Sequence, residues 1–293
     1  ARGRAQPPAS LHQAPAAGCL PLRLPLPPER AGQVPGAGAL PGAAGGDGAQ
    51  GRRGEGRHPP DLGQRERRAR GLHGAALPDR RPPALRRPLQ WLLEEESALH
   101  RDIVQQDFLD TYNNLTLKTL MGLEWVSRHC PNASYVMKAD SDIFLNVGFL
   151  VRQLLQPQLP PKKNFMMGHV YRNTGPLRSK AYKWYVPREV YPNDTYPPYC
   201  CGAGYVLSGD LAKKVYGVAQ TLRVINMEDA FVGICLYELG VSVTSSPGGL
   251  FHVFQLEYET CRFSKLVLVH RYGPADLLRV WPDFQGGNKT CPS

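Results

Sequence analysis

The chain has 293 residues, room for one large domain or two small ones, and a formal charge of +10. That charge is uneven: residues 1–88 hold 15 Arg against 6 acidic residues, or +9 of the total, which leaves +1 for residues 89–293. No aromatic residue is interleaved with those arginines for base stacking, so no nucleic-acid partner is expected.

Residues 1–88 also carry 15 Gly and 15 Pro and contain no Phe, Trp, Tyr, Ile, Met, Lys, Asn or Thr. Such a segment buries too little bulky apolar surface to offset the entropy of ordering, and it is expected to be disordered. A second reading stays open beside this one. Most of the missing residue types have AT-rich codons, as a wrong reading frame or mispredicted exon in GC-rich DNA would produce. Either way the domain boundary falls after residue 88, and residues 89–293 are the folded part.

Beyond that point helix and strand patterns alternate. Leu117, Leu120, Met121 and Trp125 form one helix face, which ends before Pro131. Tyr135 to Met137 is a strand, and Asn146 caps a helix carrying Val147, Leu150 and Leu154 that stops at Pro157. Loops and short strands follow around Phe165 to Tyr171, with Trp184 and Tyr185 placed either to stack on a ligand or to fill the core. Cys200 to Gly204 reads as a glycine turn that feeds the strand Tyr205 to Leu207 and a helix capped by Ser208. Glu228 and Asp229 open a helix carrying Phe231, Ile234 and Cys235, which gives way at Gly240 to a strand over Val241 to Thr244. Leu266 to Val269 is a buried strand ending at His270, and Pro274 opens a last helix with Leu277, Leu278 and Trp281. Strands alternating with helices give an α/β sandwich.

The segment YVMKADSDIFLN, Tyr135 to Asn146, ends a hydrophobic run on Asp140 and Asp142. Two carboxylates at the carboxyl end of a strand offer oxygen ligands to a hard divalent cation, which in turn bridges to a diphosphate. A solvated turn is the plainer alternative for so short a motif. The seven cysteines and the Asn-x-Ser/Thr triplets at Asn114, Asn132, Asn193 and Asn288 point to an oxidising, glycosylating compartment. Some of Cys130, Cys200, Cys201, Cys235, Cys261 and Cys291 are expected to pair there.

Six segments in order resemble the β-1,3-galactosyltransferase family of Golgi glycosyltransferases. They are Asp102 to Trp125, Tyr135 to Asn146, Lys183 to Pro192, Tyr196 to Ala212, Met227 to Val241 and Leu266 to Pro274. Two positions depart from the family pattern: Ser141 stands where an aspartate is common, and Ala230 where a valine is. The resemblance implies a GT-A type nucleotide-sugar-binding sandwich, Rossmann-like with a mixed sheet and with its N-terminal portion missing or disordered. It implies Mn²⁺ held by Asp142, Asp140 and His270, with His252 as the competing histidine. Lys138, Asp140, Gly202 and Gly204 are then expected at the nucleotide sugar, Asp229 as the general base and Glu228 as its support.

The reaction so implied moves galactose from UDP-galactose to O3 of a terminal N-acetylglucosamine, with inversion. Cys200 within its loop favours galactose as donor. Transfer of N-acetylglucosamine is the alternative, as is a lumenal carbohydrate-binding protein impaired in catalysis. The same resemblance implies a single-pass anchor in the Golgi membrane; the chain contains no run of about 20 apolar residues that could serve.

Overall fold

The computed structural model describes residues 73–75, 83–286 and 291. It begins with strand β1 (His73–Ala75), helix α1 (Pro83–His100), strand β2 (Ile103–Gln105) and helix α2 (Leu115–His129). Strands β3 (Tyr135–Ala139) and β4 (Ile143–Leu145) follow, then a short helix α3 (Val147–Phe149) that widens over Leu150–Leu155. Next come β5 (Met166–Tyr171), β6 (Tyr199–Ser208), α4 (Gly209–Ala219) and α5 (Glu228–Glu238). The chain continues through β7 (Thr244–Ser245), β8 (Phe251–His252), α6 (Thr260–Ser264), β9 (Leu268–His270) and α7 (Pro274–Gly286).

Two mixed sheets organise the site. The larger has the order β3-β6-β5-β7, antiparallel except for the parallel pair β5 and β7; the smaller has the order β4-β9-β8, with β8 and β9 parallel. A further parallel pair joins β1 to β2. The central strand β6 is apolar nearly throughout because both of its faces are covered.

The two-residue period of strands explains the layering. On one face of the larger sheet Tyr205, Leu207 and Met166 pack against Leu123 and Val126 of α2, Leu211 and Val215 of α4 and Phe231 of α5. On the other face Val206 and Met167 meet Ile143, Phe251 and Leu268 of the smaller sheet. The far face of that sheet carries Phe144 and Val269, covered by Phe263, Tyr272 and Val280. The result is a mixed α/β fold in which a helix layer, two sheets and a second helical layer follow one another.

Several sequence expectations need correction. Helix α1 starts at Pro83, so a boundary after residue 88 would cut a helix, and the strand β1 also lies inside the segment read as low in complexity. The expectation of disorder for residues 1–72 and 76–82 lies outside the described residues. Cys200 to Gly204 is not a turn but the first half of β6, with a register shift opposite Gly168 and Val170. Leu117 is exposed while Leu123 and Val126 are buried, so the core-facing side of α2 is rotated from the one inferred. The strands around residues 241–244 and 266–270 are shorter and later than expected, at Thr244–Ser245 and Leu268–His270. Asn146 caps as foreseen, its side chain accepting from the Phe149 N–H.

Candidate active site

Strand β3 belongs to the larger sheet and β4 to the smaller, so Asp140, Ser141 and Asp142 are the residues over which the chain crosses between them. The crossing is pinned at both ends. The Asp140 N–H donates to the Ala203 carbonyl at 3.0 Å, and the Asp142 carbonyl accepts from the Tyr272 N–H at 2.8 Å. His270 is the register partner of Ile143 in the β4 and β9 ladder, which brings its ring to Asp142.

One ligand atom each from Asp140, Asp142 and His270 lie within 4.8 Å of one another. His270 Nε2 is 3.4 Å from Asp142 Oδ2, while Nδ1 stands 3.2 Å from the Val253 carbonyl. With Nδ1 as the donor, Nε2 keeps its lone pair for a cation, the usual arrangement for a ligating histidine. Two carboxylate oxygens and one imidazole nitrogen fit a divalent metal ion. The competing His252 lies one strand away in β8, paired with Val269, and is not in this cluster. Arg271, next to His270, has a left-handed backbone at φ +66°, uncommon for a side chain of its size, and its guanidinium lies over the Phe254 ring at 5.9 Å.

A second group of charges adjoins the first. Lys138 Nζ donates to Asp140 Oδ1 at 2.6 Å and to the Gly202 carbonyl, and lies 3.8 Å from Glu228 Oε2. Burial works to lower the Lys138 pKa, but Glu228 and Asp140 outweigh it and the group ends above its ordinary value. Glu228 is buried, and its Oε1 accepts from Tyr205 at 2.6 Å and Thr119 at 3.0 Å. Asp229 accepts from the Gly202 N–H at 3.0 Å and from the Ala230 N–H at 2.9 Å. Burial raises both carboxyls, more than Lys138 beside Glu228 and the amide donors on Asp229 can offset. Lys138 and Gly202 thus link the Asp140 end of the site to Asp229.

The two glycines expected at the nucleotide sugar have different surroundings. A Cβ on Gly202 would meet Glu228 Oε2 at 3.2 Å and Asp229 Oδ2 at 3.4 Å, so its bareness serves the carboxylates. A Cβ on Gly204 would lie 2.4 Å from Leu268 Cδ1, inside the core between the sheets. Gly204 is buried and is the register partner of Ala139, the residue before Asp140. Cys200 is a buried thiol, as is Cys235, while Cys201 is half-exposed. Tyr205 and Thr119, which hold Glu228, were not singled out by sequence, because their pairing with Glu228 spans 23 and 109 residues.

The family profile described as Galactosyltransferase matches residues 84–247. The chain belongs to the galactosyltransferase family. Its relatives include mouse beta-1,3-galactosyltransferase 2, 44% identical over 198 residues, which are 67% of this chain and 47% of that one. Mouse beta-1,3-galactosyltransferase 1 is 42% identical over 196 residues, 67% of this chain and 59% of that protein. The chain therefore spans about half the length of the curated relatives it matches. A solved glycosyltransferase structure, from a protein involved in glycosylation of the major capsid of PBCV-1, aligns over 70% of this chain and 95% of its own. Its TM-score of 0.31 and 11% identity are too low to carry an argument. The galactosyltransferase profile begins one residue into α1.

Proposed function

We propose that the chain is an inverting β-1,3-galactosyltransferase that moves galactose from UDP-galactose to O3 of a terminal N-acetylglucosamine on a protein- or lipid-linked glycan. The observation that supports this reading best is the bridge from Asp140 through Lys138 and Gly202 to Asp229, which joins a cation triad to a second, separately held carboxylate. Asp142, Asp140 and His270 would hold Mn²⁺, which when bound supplies charge neutralisation on the departing diphosphate. Asp229 takes the proton from the acceptor O3 as that oxygen attacks the anomeric carbon. Its position on the opposite side of the Lys138 and Gly202 bridge suits a single displacement, so an α-linked donor gives a β-linked product. Glu228, with Oε1 already engaged twice, positions Lys138 and the start of α5 and does not itself move a proton.

Donor choice rests on the family likeness of the loop around Cys200. That thiol is buried against Gly168, so any influence it has on the sugar passes through packing. The exposed triplets at Asn132 and Asn193 and the disulfide Cys261–Cys291 support a Golgi-lumenal setting, with membrane attachment as in the family. Among the described residues no helix is long and apolar enough to cross a membrane.

Calorimetry tests the core of the reading. UDP is expected to bind with Mn²⁺ present and to lose most of its affinity with chelator or in Asp142→Ala. Unchanged affinity in both cases would remove the metal assignment. A donor screen on an N-acetylglucosamine-terminated oligosaccharide should favour UDP-galactose; a preference for UDP-N-acetylglucosamine would reverse the donor.

A further inference from the structure

Tyr112 and Trp184 are far apart in sequence, yet the Trp184 indole N–H donates to the Tyr112 hydroxyl at 2.7 Å. Both side chains are large, aromatic and 42% exposed, where aromatic rings are ordinarily covered. Lys183 lies between them, its ammonium 4.8 Å from the Tyr112 ring centroid and 4.9 Å from that of Trp184.

The pair is fixed to the site already described. The Asn226 side chain donates to the Tyr185 carbonyl at 3.1 Å and reaches Asn113 Oδ1 at 3.5 Å, so it ties the neighbours of both rings to the segment that enters α5. Glu228 and Asp229 follow two and three residues later. Thr116, one helical turn beyond Tyr112, donates to the Ile225 carbonyl at 2.7 Å and strengthens the same attachment. The Tyr112 hydroxyl is accordingly within the electrostatic reach of Asp229, Asp140 and Lys138, although burial is the largest cause of its raised pKa.

We propose that Tyr112 and Trp184 form the acceptor subsite, a rigid aromatic platform on which a sugar ring of the acceptor glycan stacks while its reactive hydroxyl points to Asp229. The inference rests on the glycosyltransferase reading above and adds the residues that recognise the acceptor. Hexopyranoses with equatorial substituents carry their C–H bonds axially, and these present a weakly positive face to the negative face of an aromatic ring. N-acetylglucosamine has such a face on both sides. The Lys183 ammonium lies over both rings and adds three N–H donors for the sugar hydroxyls. Trp184 and Tyr112 need no reorganisation, because their mutual hydrogen bond and Asn226 hold them before any ligand arrives.

The test uses the full chain with Mn²⁺ and UDP, titrated with an N-acetylglucosamine-terminated oligosaccharide and followed by saturation-transfer NMR and tryptophan fluorescence. Acceptor affinity should fall by about tenfold or more in Trp184→Ala and Tyr112→Ala, the ratio a lost stacking contact represents. Trp184→Phe should keep affinity within a few-fold while losing the fluorescence response. Tyr237→Ala, an exposed aromatic at the far end of α5, should change neither. UDP affinity by calorimetry separates the two ideas. If the parent binds no UDP with Mn²⁺, the glycosyltransferase reading fails; if UDP binds but Trp184→Ala and Tyr112→Ala hold the acceptor as the parent does, the platform fails. Loss of acceptor and UDP binding together in Trp184→Ala, with Trp184→Phe equally damaged, also overturns it, since packing would then be the role of the ring.

Discussion

Asp229 accepts two backbone N–H groups, from Gly202 and Ala230, and is otherwise largely enclosed. These bonds favour the ionised form, but burial prevails and holds the carboxyl above the ordinary aspartate range. A base must be ionised to accept a proton, and Asp229 becomes protonated as pH falls through this raised pKa. The acid limb of kcat/KM should therefore lie at higher pH than an ordinary aspartate would give. Stability has the opposite sense: the folded carboxyl holds its proton where the unfolded one has lost it, so this contribution falls as pH rises through the folded pKa. Asp229→Asn should lower turnover by about 10²-fold or more. UDP binding should persist, at a cost of about 1 kcal/mol in stability for the N–H group the amide nitrogen cannot serve. Turnover within a few-fold of the parent would leave Asp229 as a carboxylate that merely begins α5.

At the scale of elements, the crossing from β3 to β4 was legible because an apolar run that stops on two acids marks where a strand leaves the core for a polar site, whereas His270 was named only through the family resemblance, a histidine that closes a buried strand being by itself no sign of a ligand. Strand β6 was misread. Cys200 to Gly204 contains two glycines within three residues, a turn signal where flanking structure is unknown, and what overrides it is burial on both faces between two sheets. The aromatic platform was only half visible: Trp184 could be named, but Tyr112 joins it through a contact across 72 residues that no local pattern encodes. Gly204 distinguishes packing from ligand contact within this element. A methyl group there would meet Leu268 Cδ1 at 2.4 Å and the Lys138 carbonyl at 3.3 Å. Leu268 is itself fully buried, so its withdrawal would disturb the close-packed side chains around it. Gly204→Ala should therefore lower unfolding stability by about 1–3 kcal/mol, as overpacked cores do. UDP affinity per folded molecule should hold. Unchanged denaturant midpoints together with weakened UDP binding would return Gly204 to the nucleotide-sugar pocket.

Across the whole molecule, the cation triad draws on both sheets: Asp140 leaves β3 of the larger one, while Asp142 precedes β4 and His270 ends β9 of the smaller. Its geometry depends on the core between them, where Val206 and Met167 meet Leu268, Phe251 and Ile143. The disulfide Cys261–Cys291 closes a segment, separated by 30 positions, that contains β9 with His270 and α7. Two devices could position His270: that covalent closure, or the pairing of β9 with β4 on one side and β8 on the other. The ladder is immediate to the residue, with Ile143 opposite His270 itself, whereas both half-cystines lie nine or more positions away. Replacing Cys261 and Cys291 together by serine should then lower stability by about 2–4 kcal/mol through loop entropy in the unfolded chain. UDP affinity with Mn²⁺, measured well below the melting range, should match the parent. Full stability with reduced Mn²⁺-dependent UDP binding would instead assign the placement of His270 to the disulfide and not to the sheet.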